Sequence, residues 1–318
     1  MSQVDDSTIS WPALALVLPS TSVFFLSDLL ASWFGWQGDG PGLTQAVTGQ
    51  ADAAGRLYIL AGLLACCGAV FLTLLLGVGE MARAFRPEMR RKFLATLAGG
   101  LVLGTLWVWW SATHMLAVQD SLGSGLFGSA TQLFAGGPGI GADALQTRFV
   151  AILVIGRLAL MLGAGFVIVG GVSCMARLKE PATQKKRRDY LLKQRERLRF
   201  YVNAAAILMV AAIAFLVAWS RWPLTLMDEA TAKTHLALVN AATVYQGATL
   251  TLVIALFAVP VAAALRSDLA RLPPTPGEAA EDGTQSSLFG PLGKILAVLA
   301  PALASVLPAL ADIAKSGS

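Results

Sequence analysis

Four side chains have chemistry that does not suit where the sequence puts them. Arg157 and Asp28 are ionisable groups inside apolar runs, Gln246 lies inside a third, and His114 falls near the end of a fourth, after Trp107, Trp109 and Trp110. A charge at mid-membrane costs about 2.5–3.5 kcal/mol on insertion scales, so it needs a partner or a hydrated cavity. Arg157 lies eight positions into the run that begins at Phe149, and Asp28 lies eight positions before Trp36, where its own run ends. In antiparallel helices both fall about 12 Å from the same side, at 1.5 Å per residue. One chemistry that fits is a charged site on a substrate or ion path, with His114 and Gln246 sharing an outer-half cavity. The other is structural: an Arg157–Asp28 pair that fixes helix register, or Arg157 extending alone to the outer interface.

Other candidates point away from catalysis. His114 and His235 are the only histidines, and they lie in separate segments without ligand spacing. No metal site is assigned, although Asp120, Asp228 and Glu229 are near them in topology. No Ser-His-Asp or Cys-His order emerges, because no nucleophile has a local motif. Cys66, Cys67 and Cys174 lie within or at the ends of apolar runs without CxxC spacing, which reads as buried small hydrophobes. Gly123–Gly128 matches GxGxxG, but that fingerprint works only between a strand and a helix. No catalytic residue and no cofactor are expected.

The elements that must position these residues are membrane helices. The chain is 56% hydrophobic and 14% charged, against about 25% charged in soluble domains. Its apolar residues gather in six runs, at about 11–36, 57–79, 93–118, 149–174, 200–221 and 236–265. Unpaired backbone groups in lipid cost several kcal/mol each, so every span must be helical. The run 11–36 is the weakest, with Pro19, Ser20, Thr21, Ser22 and Asp28 inside it. It follows Asp5 and Asp6 rather than a basic n-region, so it reads as a retained span and not a signal peptide. The predicted fold is all-α: a polytopic helical membrane bundle over 1–272 with about six transmembrane helices.

Charge orients the bundle. Arg177–Arg199 holds ten Lys or Arg and three acids, a net of +7 in a chain of net +5. The loop 80–92 is also basic, whereas 37–56, 119–148 and 222–235 together hold three Lys or Arg. The positive-inside bias then puts both termini in the cytoplasm, here of a bacterial inner membrane. Lys185, Lys186, Arg187, Arg188, Lys193, Arg195, Arg197 and Arg199 suit anionic headgroups, at about 1 kcal/mol per basic residue near the surface. The segment has one aromatic before the membrane boundary, Tyr190, so it lacks the interleaved rings that single-stranded nucleic acid needs. No nucleic-acid partner is expected. Helical spacing predicts one helix running on into 200–221, with Tyr190, Leu191, Gln194, Leu198 and Tyr201 on one face.

There is also an internal echo. GVGEMARAFRP at 77–87 and GVSCMARLKEP at 171–181 share Gly, Val, Met-Ala-Arg and Pro at an offset of 94, which suggests a tandem repeat of helical hairpins. Residues 273–287 read as a flexible linker. In 288–318, Leu292, Ile295, Leu299, Leu303, Val306, Leu310 and Ile313 form one apolar stripe of an amphipathic helix, suited first to docking on protein and otherwise to lying in the interface or spanning as a seventh helix. The expected function is a non-enzymatic, partner-binding membrane subunit: a scaffold, assembly factor or sensor with a protein partner or a second copy. The alternative is a small transporter or channel built around Arg157 and Asp28.

Overall fold

The computed structural model describes residues 7–8, 11–34, 49–84, 87–113, 142–178 and 183–273. The linker beyond Pro273 and the whole tail stripe from Leu292 to Ile313 lie outside them. The described chain is helical almost throughout: α1 (Trp11–Leu14), α2 (Val17–Phe34), α3 (Gly49–Ala84), α4 (Pro87–Thr113), α5 (Ala142–Ser173), α6 (Gln184–Arg221) and α7 (Glu229–Ala270). Five of these contain stretches of 23 to 42 residues long and apolar enough to cross a membrane. The protein is a multi-pass α-helical membrane bundle.

The run 11–36 departs from its expected continuous span, and Pro19 supplies the reason. A proline ring has no N–H and clashes with the carbonyl four residues back. For Pro19 that carbonyl is on Ala15, where the helix breaks. Leu16 N and Leu18 N instead reach back only three residues, to Ala13 O at 3.2 Å and Ala15 O at 3.0 Å. The remaining helix α2 has 18 residues, about 27 Å, and is shorter than the five spans.

The basic segment does continue into the membrane as one helix. The 38 residues of α6 reach about 57 Å, nearly twice a hydrocarbon core of about 30 Å. The Thr183 side chain caps its start by accepting from Lys186 N at 3.4 Å. Tyr190, Leu191, Gln194, Leu198 and Tyr201 are all buried, so the helical face read from spacing is the packed face. At the other end, Asp228 caps α7 by accepting from Thr231 N and Thr231 Oγ1, both at 2.9 Å. That cap starts the last helix at Glu229, so Lys233 and His235 are helical rather than part of the expected loop.

In the packing, α6 lies against α3, α5 and α7, while α4 lies on α5 and α2 on α7. Glycines on α5 admit rings from its neighbours. A side chain on Gly170 would overlap the Tyr201 ring, and one on Gly171 would come within 2.6 Å of the Phe257 ring. At the end of the bundle that carries the basic residues, Tyr190 Oη donates to Ala176 O at 3.0 Å. Arg197 Nε donates to Glu80 Oε1 at 2.9 Å, joining α6 to α3. Ser7–Thr8 pairs antiparallel with Arg177–Leu178, a two-residue bridge and the only strand pairing among the described residues.

Because Tyr201 fills the space beside Gly170, Gly170→Ala should destabilise the bundle by about 1–3 kcal/mol, the usual range for overpacking. Gly99 has no neighbouring atom within 4 Å of the same added carbon, so Gly99→Ala should leave stability unchanged or slightly raised. Thermal unfolding in detergent distinguishes the two.

Candidate functional site

Toward the end opposite the basic one, helices α2, α4, α5, α6 and α7 line a half-open cavity of about 130 Å³. Its polar wall is made by Arg157 of α5, Gln246 of α7 and Ser27 of α2; its rings include Trp107, Phe215 and Trp219. Trp219 lies two residues from the end of α6 and Trp107 six residues from the end of α4, which sets the level of the site.

Local sequence builds these walls. Gly156, next to Arg157, lets the ring of Phe215 close on α5; a side-chain carbon there would lie 2.6 Å from that ring. Gly104 does the same for Met161, whose methyl would be 2.9 Å away. Ser27 Oγ donates to Phe24 O at 2.8 Å, and Tyr245 Oη donates to Ser27 O at 2.8 Å. The Tyr245 bond ties α7 to α2 beside Gln246. Ser20 Oγ makes a second tie farther along, donating to Val253 O at 3.3 Å.

The chemistry available is binding. Arg157 is partly buried and carries a planar guanidinium that stays charged at any accessible pH. Gln246 contributes an amide with both donors and an acceptor. The rest of the wall is aromatic or aliphatic. A cavity of about 150 Å³ lined by hydrocarbon can hold a benzene ring, so this one admits an apolar group of about that size.

Arg157 and Gln246, singled out from the sequence, share this cavity. Asp28 follows Ser27 on α2, but its side chain lies outside the described set, as does His114 altogether. Ser27 and the walls Trp107, Phe215 and Trp219 were not legible as site residues. The available hint was Gly156 beside an intramembrane Arg, a small residue that lets a neighbour approach a charge. Among the basic residues, Lys185, Lys186, Arg187, Lys193 and Arg199 are exposed, while Arg188, Arg195 and Arg197 are partly buried. Arg197 is engaged by Glu80.

His235 has a structural place. It is buried, and its Nε2 lies 3.1 Å from Ser220 O. A carbonyl only accepts, so Nε2 carries the proton and donates. Among the described residues no three His, Cys, Asp or Glu side chains converge as metal ligands would. Replacing His235 by Phe keeps the ring volume and removes the donor, leaving the Ser220 carbonyl in the last turn of α6 without that partner. The expected loss is about 1–3 kcal/mol, read as a lower melting temperature. His235→Gln should restore part of it if its amide reaches Ser220 O. No protein family, curated protein or solved structure matches this chain, so the chemistry of the site rests on these residues.

Proposed function

We propose that the protein is a small transporter or channel that takes a solute into the cavity around Arg157 and Gln246. The observation that carries this reading is the meeting of both side chains, from α5 and α7, in one cavity. A charged residue in a membrane span is expensive and marks a substrate or ion path when it faces a cavity. On the positive-inside bias, the end with Lys185–Arg199, Arg266 and Arg271 is cytoplasmic, with both termini there, in a bacterial inner membrane. The cavity then belongs to the outer half, where Asp28 and His114 would join it.

A second reading is a partner-binding subunit, which the reach of α6 favours. From Arg199 to Lys185 is 14 residues, about 21 Å of helix, more than twice the Debye length of about 8 Å at physiological salt. Arg195 and Arg199 would serve anionic headgroups, whereas Lys185, Lys186, Arg187 and Arg188 would meet an acidic protein surface beyond them. The tail stripe would add an apolar contact to a partner or a second copy. A duplicated hairpin is also proposed, supported by Gly77 and Gly171, equivalent in the sequence echo, each lying against a ring, Phe166 and Phe257.

Thiol labelling tests the favoured reading once Cys66, Cys67 and Cys174 are replaced by Ala. A cysteine at Leu250, which lines the cavity, should react with an anionic methanethiosulfonate added on the side that labels position 130. A cysteine at Lys193, which is exposed, should react only from the other side. A Leu250→Cys thiol silent from both sides would remove the solute path. Labelling of 130 and 193 from one face would overturn the orientation.

A further inference from the structure

We infer that the seam between α5 and α6 is the second half of the solute path, running from the cavity toward the basic end. Leu208 and Tyr201 close it in this state, and the amide of Gln194 and the hydroxyl of Tyr201 are its hydrogen-bonding groups. This rests on the reading of the cavity as a solute site and adds the route that leaves it. The seam is regular. Phe149, Gly156, Gly163 and Gly170 recur every seven residues on α5, and Trp222, Phe215, Leu208 and Tyr201 answer them in reverse at the same interval. The rings of Phe149 and Trp222 have centroids 4.6 Å apart. Side-chain carbons on Gly156 and Gly163 would lie 2.6 Å from Phe215 and 3.1 Å from Leu208, and one on Gly170 would overlap Tyr201. A seven-residue repeat keeps two helices in contact along one line. That line starts at Phe215, which lines the cavity, and reaches Tyr201 about 21 Å away at 1.5 Å per residue.

Unpartnered polar atoms indicate what the seam carries. One repeat past Tyr201 comes Gln194, beyond the end of α5 at Ser173. Gln194 and Tyr201 are each 1% exposed. Neither the amide nitrogen and oxygen of Gln194 nor Oη of Tyr201 has a hydrogen-bond partner. A buried polar group without a partner bears the full cost of leaving water. Leu and Phe, of similar shape, would pack at these two positions without that cost. The missing partners arrive when α6 draws back from the glycines and water or a solute enters between the helices. Glycine makes the motion easy on the α5 side, since no side chain there has to rotate clear. The groups on offer are a neutral amide and a neutral hydroxyl, so the route suits a solute that carries its own hydrogen-bond donors and acceptors.

Ala205 provides the test, because it is buried and lies four residues after Tyr201 and three before Leu208, on the same helix face. The full chain is used in sealed vesicles, with Cys66, Cys67 and Cys174 replaced by Ala. Ala205→Cys should then react slowly with an anionic methanethiosulfonate applied on the side that labels Lys193→Cys. Adding Leu208→Ala removes part of the closure and should speed the reaction about tenfold or more. Adding Tyr201→Phe or Gln194→Leu keeps the packing, removes the unpartnered groups and should slow it about tenfold. Both of these variants should melt at or above the temperature of the parent. Lower melting temperatures with unchanged labelling would show that fixed internal water satisfies these groups, and would overturn the route. An Ala205→Cys thiol that stays silent even with Leu208→Ala would overturn it too. If Leu250→Cys still labels from the far side, the cavity reading stands and only this route falls. Silence at Leu250→Cys removes the cavity reading and the route together.

Discussion

Lipid removes the force that brings helices together in water, since apolar side chains gain little by leaving hydrocarbon for one another. Close fit must hold the bundle instead, and here it is achieved by rings set into glycines of α5. Tyr201 and Phe257 lie where side chains of Gly170 and Gly171 would be, and Phe215 takes the corresponding space at Gly156. Each ring gains dispersion contacts that a lipid chain meeting a bulkier helix surface would not provide. α5 is accordingly the helix that α3, α4, α6 and α7 all touch.

The same fit creates the site. Gly156 and Arg157 are neighbours with opposite effects: one lets Phe215 approach, the other holds a charge that apolar rings do not satisfy. Gln246 faces the same space from α7. The hydrogen bonds of Ser27 and Tyr245 tie α2 to α7 at that level, and they are stronger in a low dielectric than they would be in water. Part of the wall is thus held by bonds between helix backbones and neighbouring side chains, at the level of Arg157 and Gln246.

At the other end the structure presents a charged surface. α6 leaves the apolar core with its buried stripe still packed, so its basic half is part of the bundle rather than a loose loop. Glu80 neutralises Arg197 at the level where α3 and α6 meet, at 2.9 Å, and Tyr190 secures the turn after α5 through Ala176 O. The exposed lysines and arginines are thereby held on a rigid rod whose length, not its composition, separates those near the membrane boundary from those beyond it.

Hydropathy alone determined the class of fold, because a run of some twenty apolar residues in lipid has only the helix with which to satisfy its backbone. Spacing alone also determined the buried face of α6, since Tyr190, Leu191, Gln194, Leu198 and Tyr201 recur at the helical period. Arg157 and Gln246, which line one cavity, stood out in the sequence because polar groups in apolar runs are costly wherever the helices lie. The break before Pro19 and the cap at Asp228 moved element ends by a few residues, through local bonds that composition does not report. Only the tertiary structure decided which rings form the cavity. Phe215 and Trp219 have the same sequence signature facing lipid, core or cavity, and helix crossing at Gly156 selects among the three.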